Sequence, residues 1–160
     1  MYVVFIMLLA LSDARVCTFN GNQIINPAAD CTSLNIWDNS RDSDILVPDL
    51  SYLSGRIIWI QFVNTGITAL PDLTIIATSV KKIYLQSNHK LTSLPPEIMS
   101  QFQALELLYL NDNPLLVALP DVPLPNLSTL SLKNSAYTSL MNIPQMGKTI
   151  KVSASCIIND

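Results

Sequence analysis

His89 is the one histidine in a chain of 160 residues, and so the one side chain whose ordinary pKa suits proton transfer near neutrality. To act as a hydrolase base it would need a serine nucleophile and an orienting carboxylate within hydrogen-bond reach. It directly follows Asn88, off any expected strand, where a solvated loop residue is the simpler reading. Three cysteines, Cys17, Cys31 and Cys156, with a single histidine give neither a C-x-x-C nor an H-x-x-x-H pair, so no metal site is expected. Asp44, Asp49 and Asp72 are scattered through connecting segments, where solvated carboxylates are the rule. The four glycines stand singly, and none belongs to a glycine-rich phosphate loop. The residue types therefore imply no enzyme, no cofactor and no metal.

Composition narrows the remaining classes. A net charge of −3 with 13% charged residues gives no electrostatic case for nucleic acid, and 49% hydrophobic residues argue against disorder. The length suits one domain with a sizeable core. Residues 1–11 are an almost unbroken apolar run, and Ser12-Asp13-Ala14 places small residues three before and one before a cut after Ala14. That pattern reads as a secretory signal peptide over residues 1–14, too short for the ~20 residues of a spanning helix. A core helix or strand at the N-terminus is the alternative. No later stretch reads as a membrane span or lipidation site, so the cleaved product is expected to be secreted, with no membrane span. There Cys17 and Cys31 could close a short loop, the alternative being two buried free thiols.

Any functional surface must be positioned by the pattern that residues 80–120 state twice. Val80-Lys-Lys-Ile83-Tyr-Leu85-Gln-Ser-Asn88 continues to Leu91 and Leu94-Pro95, and Leu105-Glu-Leu-Leu108-Tyr-Leu110-Asn-Asp-Asn113 continues to Leu116 and Leu119-Pro120. Apolar residues at positions 4 and 6 point to one face of a short strand, and positions 3, 5 and 7 point to the other. The Asn at position 9 is suited to a bend inside the molecule, because its amide can pair backbone groups that the turn leaves open. One such unit cannot bury its apolar face, whereas units stacked strand beside parallel strand can.

The spacing resembles the leucine-rich repeat, L-x-x-L-x-L-x-x-N/C-x-L, with one extra residue between Asn and Leu in both copies. The same pattern can be followed from Cys31, Ile57 and Val80 through Leu105 and Leu127 to Gly147, where a degraded copy sets Ile150 at position 4 and Val152 at position 6. Thr65 and Ser135 stand at the Asn position of the second and fifth copies. The resemblance implies an α/β repeat solenoid: a leucine-rich-repeat arc with about six short parallel strands on its concave face and mostly irregular convex segments. Residues 15–30 would form an N-terminal cap and residues 31–160 the solenoid. Among the return segments, Pro95 to Phe102 suits one or two helical turns and Asp121 to Pro125 must run extended. Extracellular members of the family commonly begin with a cysteine-containing cap, of which residues 15–30 look like a reduced version. With Cys31 opening the first strand and Cys156 following the sixth, those two lie on the order of 24 Å apart, beyond disulfide reach. Cys17 with Cys31 is then the expected disulfide.

The outward positions of this frame spell a surface. Trp59, Tyr84, Leu107 and Tyr109 should form one contiguous apolar patch, bordered by Trp37, Lys82, Gln86 and Asn111. Aromatic side chains in a polar rim suit a protein-binding face, though cross-strand packing alone would also place them there. Lys133 and Lys151 stand toward the C-terminal end of the same face. The expected function is a secreted, non-enzymatic recognition module that takes a protein or peptide on the concave face. The alternative is a partial receptor ectodomain acting as a scaffold whose binding site lies in missing repeats. Weak self-association through the C-terminal sheet edge is a further expectation. Asn126-Leu127-Ser128 is a glycosylation sequon, a weak signal on its own.

Overall fold

The computed structural model describes residues 16–20, 23–24, 31–37, 50, 53, 55–136 and 151–153. The expected signal peptide, Asp44, Asp49, Cys156 and much of the cap lie outside the described residues. Within them, every segment with apolar residues at positions 4 and 6 runs as a short strand. These are β3 (Ser33–Trp37), β4 (Trp59–Phe62), β5 (Lys82–Tyr84), β6 (Leu107–Tyr109), β7 (Thr129–Ser131) and β8 (Lys151–Ser153). They pair in parallel and in chain order, so the chain is a parallel-strand solenoid.

Two features differ from the sequence reading. The cap segment contributes β1 (Val16–Asn20), which lies parallel to β3, and β2 (Gln23–Ile24), antiparallel to β1, so among the described residues the sheet has eight strands in the order β2-β1-β3-β4-β5-β6-β7-β8. Cys17 pairs with Leu34 and so occupies position 4 of a strand before the first expected one. In β8, Val152 pairs with Leu130, which makes it position 4 and not position 6. The last copy therefore opens at residue 149 instead of Gly147. A shift of two leaves the alternation of the sequence pattern unchanged, because its period is two.

The core follows the frame residue by residue. Leu34, Ile60, Ile83, Leu108 and Leu130 are successive register partners, and Ile36, Phe62, Leu85, Leu110 and Leu132 form the position 6 row beside them; all are buried. Cys31, Ile57, Val80, Leu105 and Leu127 at position 1 are buried too. Cys17 and Cys31 are joined by a disulfide with their Cα atoms 5.6 Å apart, tying β1 to the start of the next copy. Among the described residues the return segments hold two one-turn helices. In α1 (Thr74–Ala77), Ile76 and Ala77 face inward, and Asp72 accepts the Thr74 N–H at 3.0 Å and its hydroxyl at 2.8 Å. Those two bonds hold the exposed Asp72 carboxyl below the usual carboxylate range. In α2 (Pro96–Met99), Pro95 and Pro96 start the turn as expected, and Met99 and Phe102 close over the core. Asp121 to Leu124 carries neither helix nor strand.

In the middle copies a hydrogen-bonded ladder turns the chain back after the strand. Asn88 is buried; its Oδ1 accepts the N–H of Thr65 at 2.9 Å and the Thr65 hydroxyl at 2.6 Å, while its Nδ2 donates to the Phe62 carbonyl at 2.8 Å. Asn113 repeats this one copy later, accepting the Asn88 N–H at 2.9 Å and donating to the carbonyls of Leu85 and Leu110 at 2.7 Å each. Just before each of these turn residues the backbone takes a left-handed conformation, at Asn64, Ser87, Asp112 and Asn134, with φ of 57°, 60°, 59° and 54°. Asn and Asp tolerate that region better than other side chains, which suits three of the four.

Candidate binding face

Positions 3 and 5 of β4, β5 and β6 point away from the core because positions 4 and 6 are committed to it. Trp59, Gln61, Lys82, Tyr84, Leu107 and Tyr109 stand there, all half-buried. The Tyr84 and Tyr109 rings are direct register partners and stack, with centroids 5.4 Å apart and planes at 15°. Trp59 meets Tyr84 from the diagonal position, edge to face, at 6.2 Å and 87°. Such pairs are each worth about 0.5–1.5 kcal/mol beyond the area they bury. Burial raises the Tyr84 hydroxyl above its ordinary pKa, and the charge Tyr109 can carry beside it adds to the rise. The expected patch of Trp59, Tyr84, Leu107 and Tyr109 is thus brought together on adjacent strands.

The rim is more varied than the frame alone implies. Lys82 stands in register between Trp59 and Leu107, and among the described residues no carboxylate pairs with it or with the exposed Lys133. The ion pair on this rim joins Lys81 to Glu106 at 3.0 Å, with both side chains about half exposed. Asn111 links two copies: its Oδ1 accepts the Ser131 hydroxyl at 2.7 Å and the Lys133 N–H at 3.0 Å. Gln86 is half-buried, its carbonyl accepting the Asn64 N–H. Trp37 ends β3 opposite Asn20 of β1, and its side chain lies outside the described residues.

Elsewhere the residues singled out for chemistry are dispersed. His89 is exposed in the turn after Asn88, and among the described residues no three His, Cys, Asp or Glu side chains come together. Asn126 and Ser128 of the sequon are exposed; the Asn126 amide donates to the Gln103 carbonyl at 2.8 Å and the Ser128 hydroxyl to the Glu106 carbonyl at 3.0 Å. Ser33, at the outward position 3 of β3, is fully buried, and among the described residues its hydroxyl has no partner. Nothing in its one-residue signal distinguishes it from the half-buried position 3 residues of β4, β5, β6 and β7. Among the described residues no helix is long and apolar enough to cross a membrane. No protein-family model matches this chain, and no curated protein matches it significantly.

Proposed function

We propose that this chain is a secreted leucine-rich-repeat recognition module that binds a protein or peptide across the outward, concave face of its sheet and carries out no chemistry. The observation that carries the reading is the half-exposed run of Trp59, Tyr84 and Tyr109, three aromatic rings held against one another on adjacent strands. Such rings bury much area on binding at little entropic cost, because their neighbours already fix their rotamers. The family assignment draws on the L-x-x-L-x-L-x-x-N frame together with the buried Asn88 and Asn113 ladder. Secretion is favoured by the Cys17–Cys31 disulfide, which persists in an oxidising compartment.

The test is capture from extracellular fluid by the immobilised protein, followed by affinity measurement on the recovered partner. Trp59→Ala, Tyr84→Ala and Tyr109→Ala should each weaken binding by at least ~2 kcal/mol, about thirtyfold. Gln101→Ala and Asp121→Ala, at exposed sites on the return segments, serve as controls. Equal affinity in both sets would show that the rings serve packing alone.

A further inference from the structure

Among the described residues, carboxylates keep off the outward strand positions. The chain carries 12 Asp and Glu against 9 Lys and Arg, yet among the described residues no Asp or Glu occupies an outward position in a parallel strand. Exposed carboxylates such as Asp72, Glu97 and Asp121 stand on the return segments. On the sheet face the charges are lysines, and Lys82 is half-buried beside Trp59 and Leu107 with no carboxylate among the described residues to compensate it. A lysine on a face without carboxylates favours the arrival of an anion.

The geometry also sets a length. Lys82 is at position 3 of β5, and Lys133 follows β7 at position 7, two strands across and four residues along. With strands about 4.8 Å apart and residues about 3.3 Å apart, the two Cα atoms are separated by roughly 16 Å. Tyr109, at position 5 of β6, stands midway on that diagonal. An extended chain covers the same distance in about five residues. Tyr84 and Tyr109 spend one face each on the other, with their planes at 15°.

We infer that the face binds an extended acidic peptide segment of a protein, with two Asp or Glu side chains four or five residues apart set on Lys82 and Lys133 and apolar residues between them over Tyr84 and Tyr109. This rests on the reading of the sheet face as a binding surface. Panning a random twelve-residue peptide library on the immobilised protein tests it. Enriched peptides should carry two acidic residues at that spacing around an aliphatic or aromatic residue. Affinity for a synthetic copy of the most enriched peptide should fall at least tenfold in the Lys82→Gln, Lys133→Gln double variant, and Lys82→Arg with Lys133→Arg should restore most of it. An unchanged unfolding midpoint in these variants separates charge from fold. Peptides enriched without acidic bias, sensitive to Tyr84→Ala but indifferent to the lysines, would overturn the acidic inference and leave the binding face standing. Heparin binding that follows the lysines and ignores Tyr84→Ala would overturn the peptide assignment. Absence of any enrichment would remove both the inference and the proposal beneath it.

Discussion

The backbone N–H of Asn88 donates to the side-chain Oδ1 of Asn113 at 2.9 Å, across 25 residues of chain. The bond is one of three that Asn113 makes in a buried site, and Asn88 makes the equivalent set toward Thr65 and Phe62. Replacing Asn113 by Ala leaves the Asn88 N–H and the Leu85 and Leu110 carbonyls short of a partner, at ~1–3 kcal/mol for an unsatisfied buried group. Asn88→Ala should cost a similar amount. Because Asn113 holds the backbone of Asn88, the double variant should lose less than the sum of the two. Urea unfolding measures all three, and unchanged midpoints in the single variants would contradict the ladder.

Ser87 is the odd member of the left-handed set, sharing with Asn64, Asp112 and Asn134 a conformation that Ser has no particular means to stabilise. Ser87→Asn and Ser87→Gly should therefore raise stability, by about 0.5–1 kcal/mol, while Ser87→Val should lower it. Denaturant midpoints decide the matter. A loss in both the Asn and the Gly variant would mean that the Ser87 hydroxyl contributes more than backbone strain removes.

Neighbouring residues on β5 should separate fold from face. Ile83 is buried with Ile60 and Leu108 on either side in register, so Ile83→Ala opens a core cavity worth about 2–5 kcal/mol. Tyr84→Ala removes ring contacts on a half-exposed surface and should cost clearly less. Thermal unfolding of the two variants side by side would expose an error in facing if their losses were reversed.

Alkaline titration gives an independent handle on the aromatic run. A phenol whose pKa is raised on folding contributes stability that is complete below its unfolded value near 10 and is lost as pH rises through the folded value. Tyr84 is such a group, chiefly through burial and secondarily through Tyr109. The denaturant midpoint should thus fall above about pH 10, and less steeply in Tyr84→Phe, which cannot ionise. Parallel curves for the two proteins would show that Tyr84 ionises without reference to the fold.

The middle of the molecule was legible because each landmark is repeated with the same spacing. Ile83, Leu85, Asn88, Leu91 and Leu94 have counterparts at Leu108, Leu110, Asn113, Leu116 and Leu119, and all ten are buried. The ends were less so. In β1 only Cys17 and Phe19 carry the frame, and cysteine there reads first as disulfide chemistry. In the last copy Ile150 and Val152 alternate correctly in either register, and a period of two cannot tell a strand from itself shifted by two. Asn111 is an acceptor for the next copy, a role that side-chain type does not reveal, since the same residue on an open face would read as a contact group. The stacking of Tyr84 on Tyr109, by contrast, follows directly once the register is known.

The Asn ladder has a direction, and this bears on synthesis. Each side chain serves the copy before it, so the turn at Asn88 is complete only when Asn113, 25 residues later, has emerged and found its place. At a ribosomal rate of about 5–20 residues per second, that delay is roughly 1–5 s. At that point in synthesis the folded edge trails the newest residues by one full copy and ends in a turn whose amide still belongs to water.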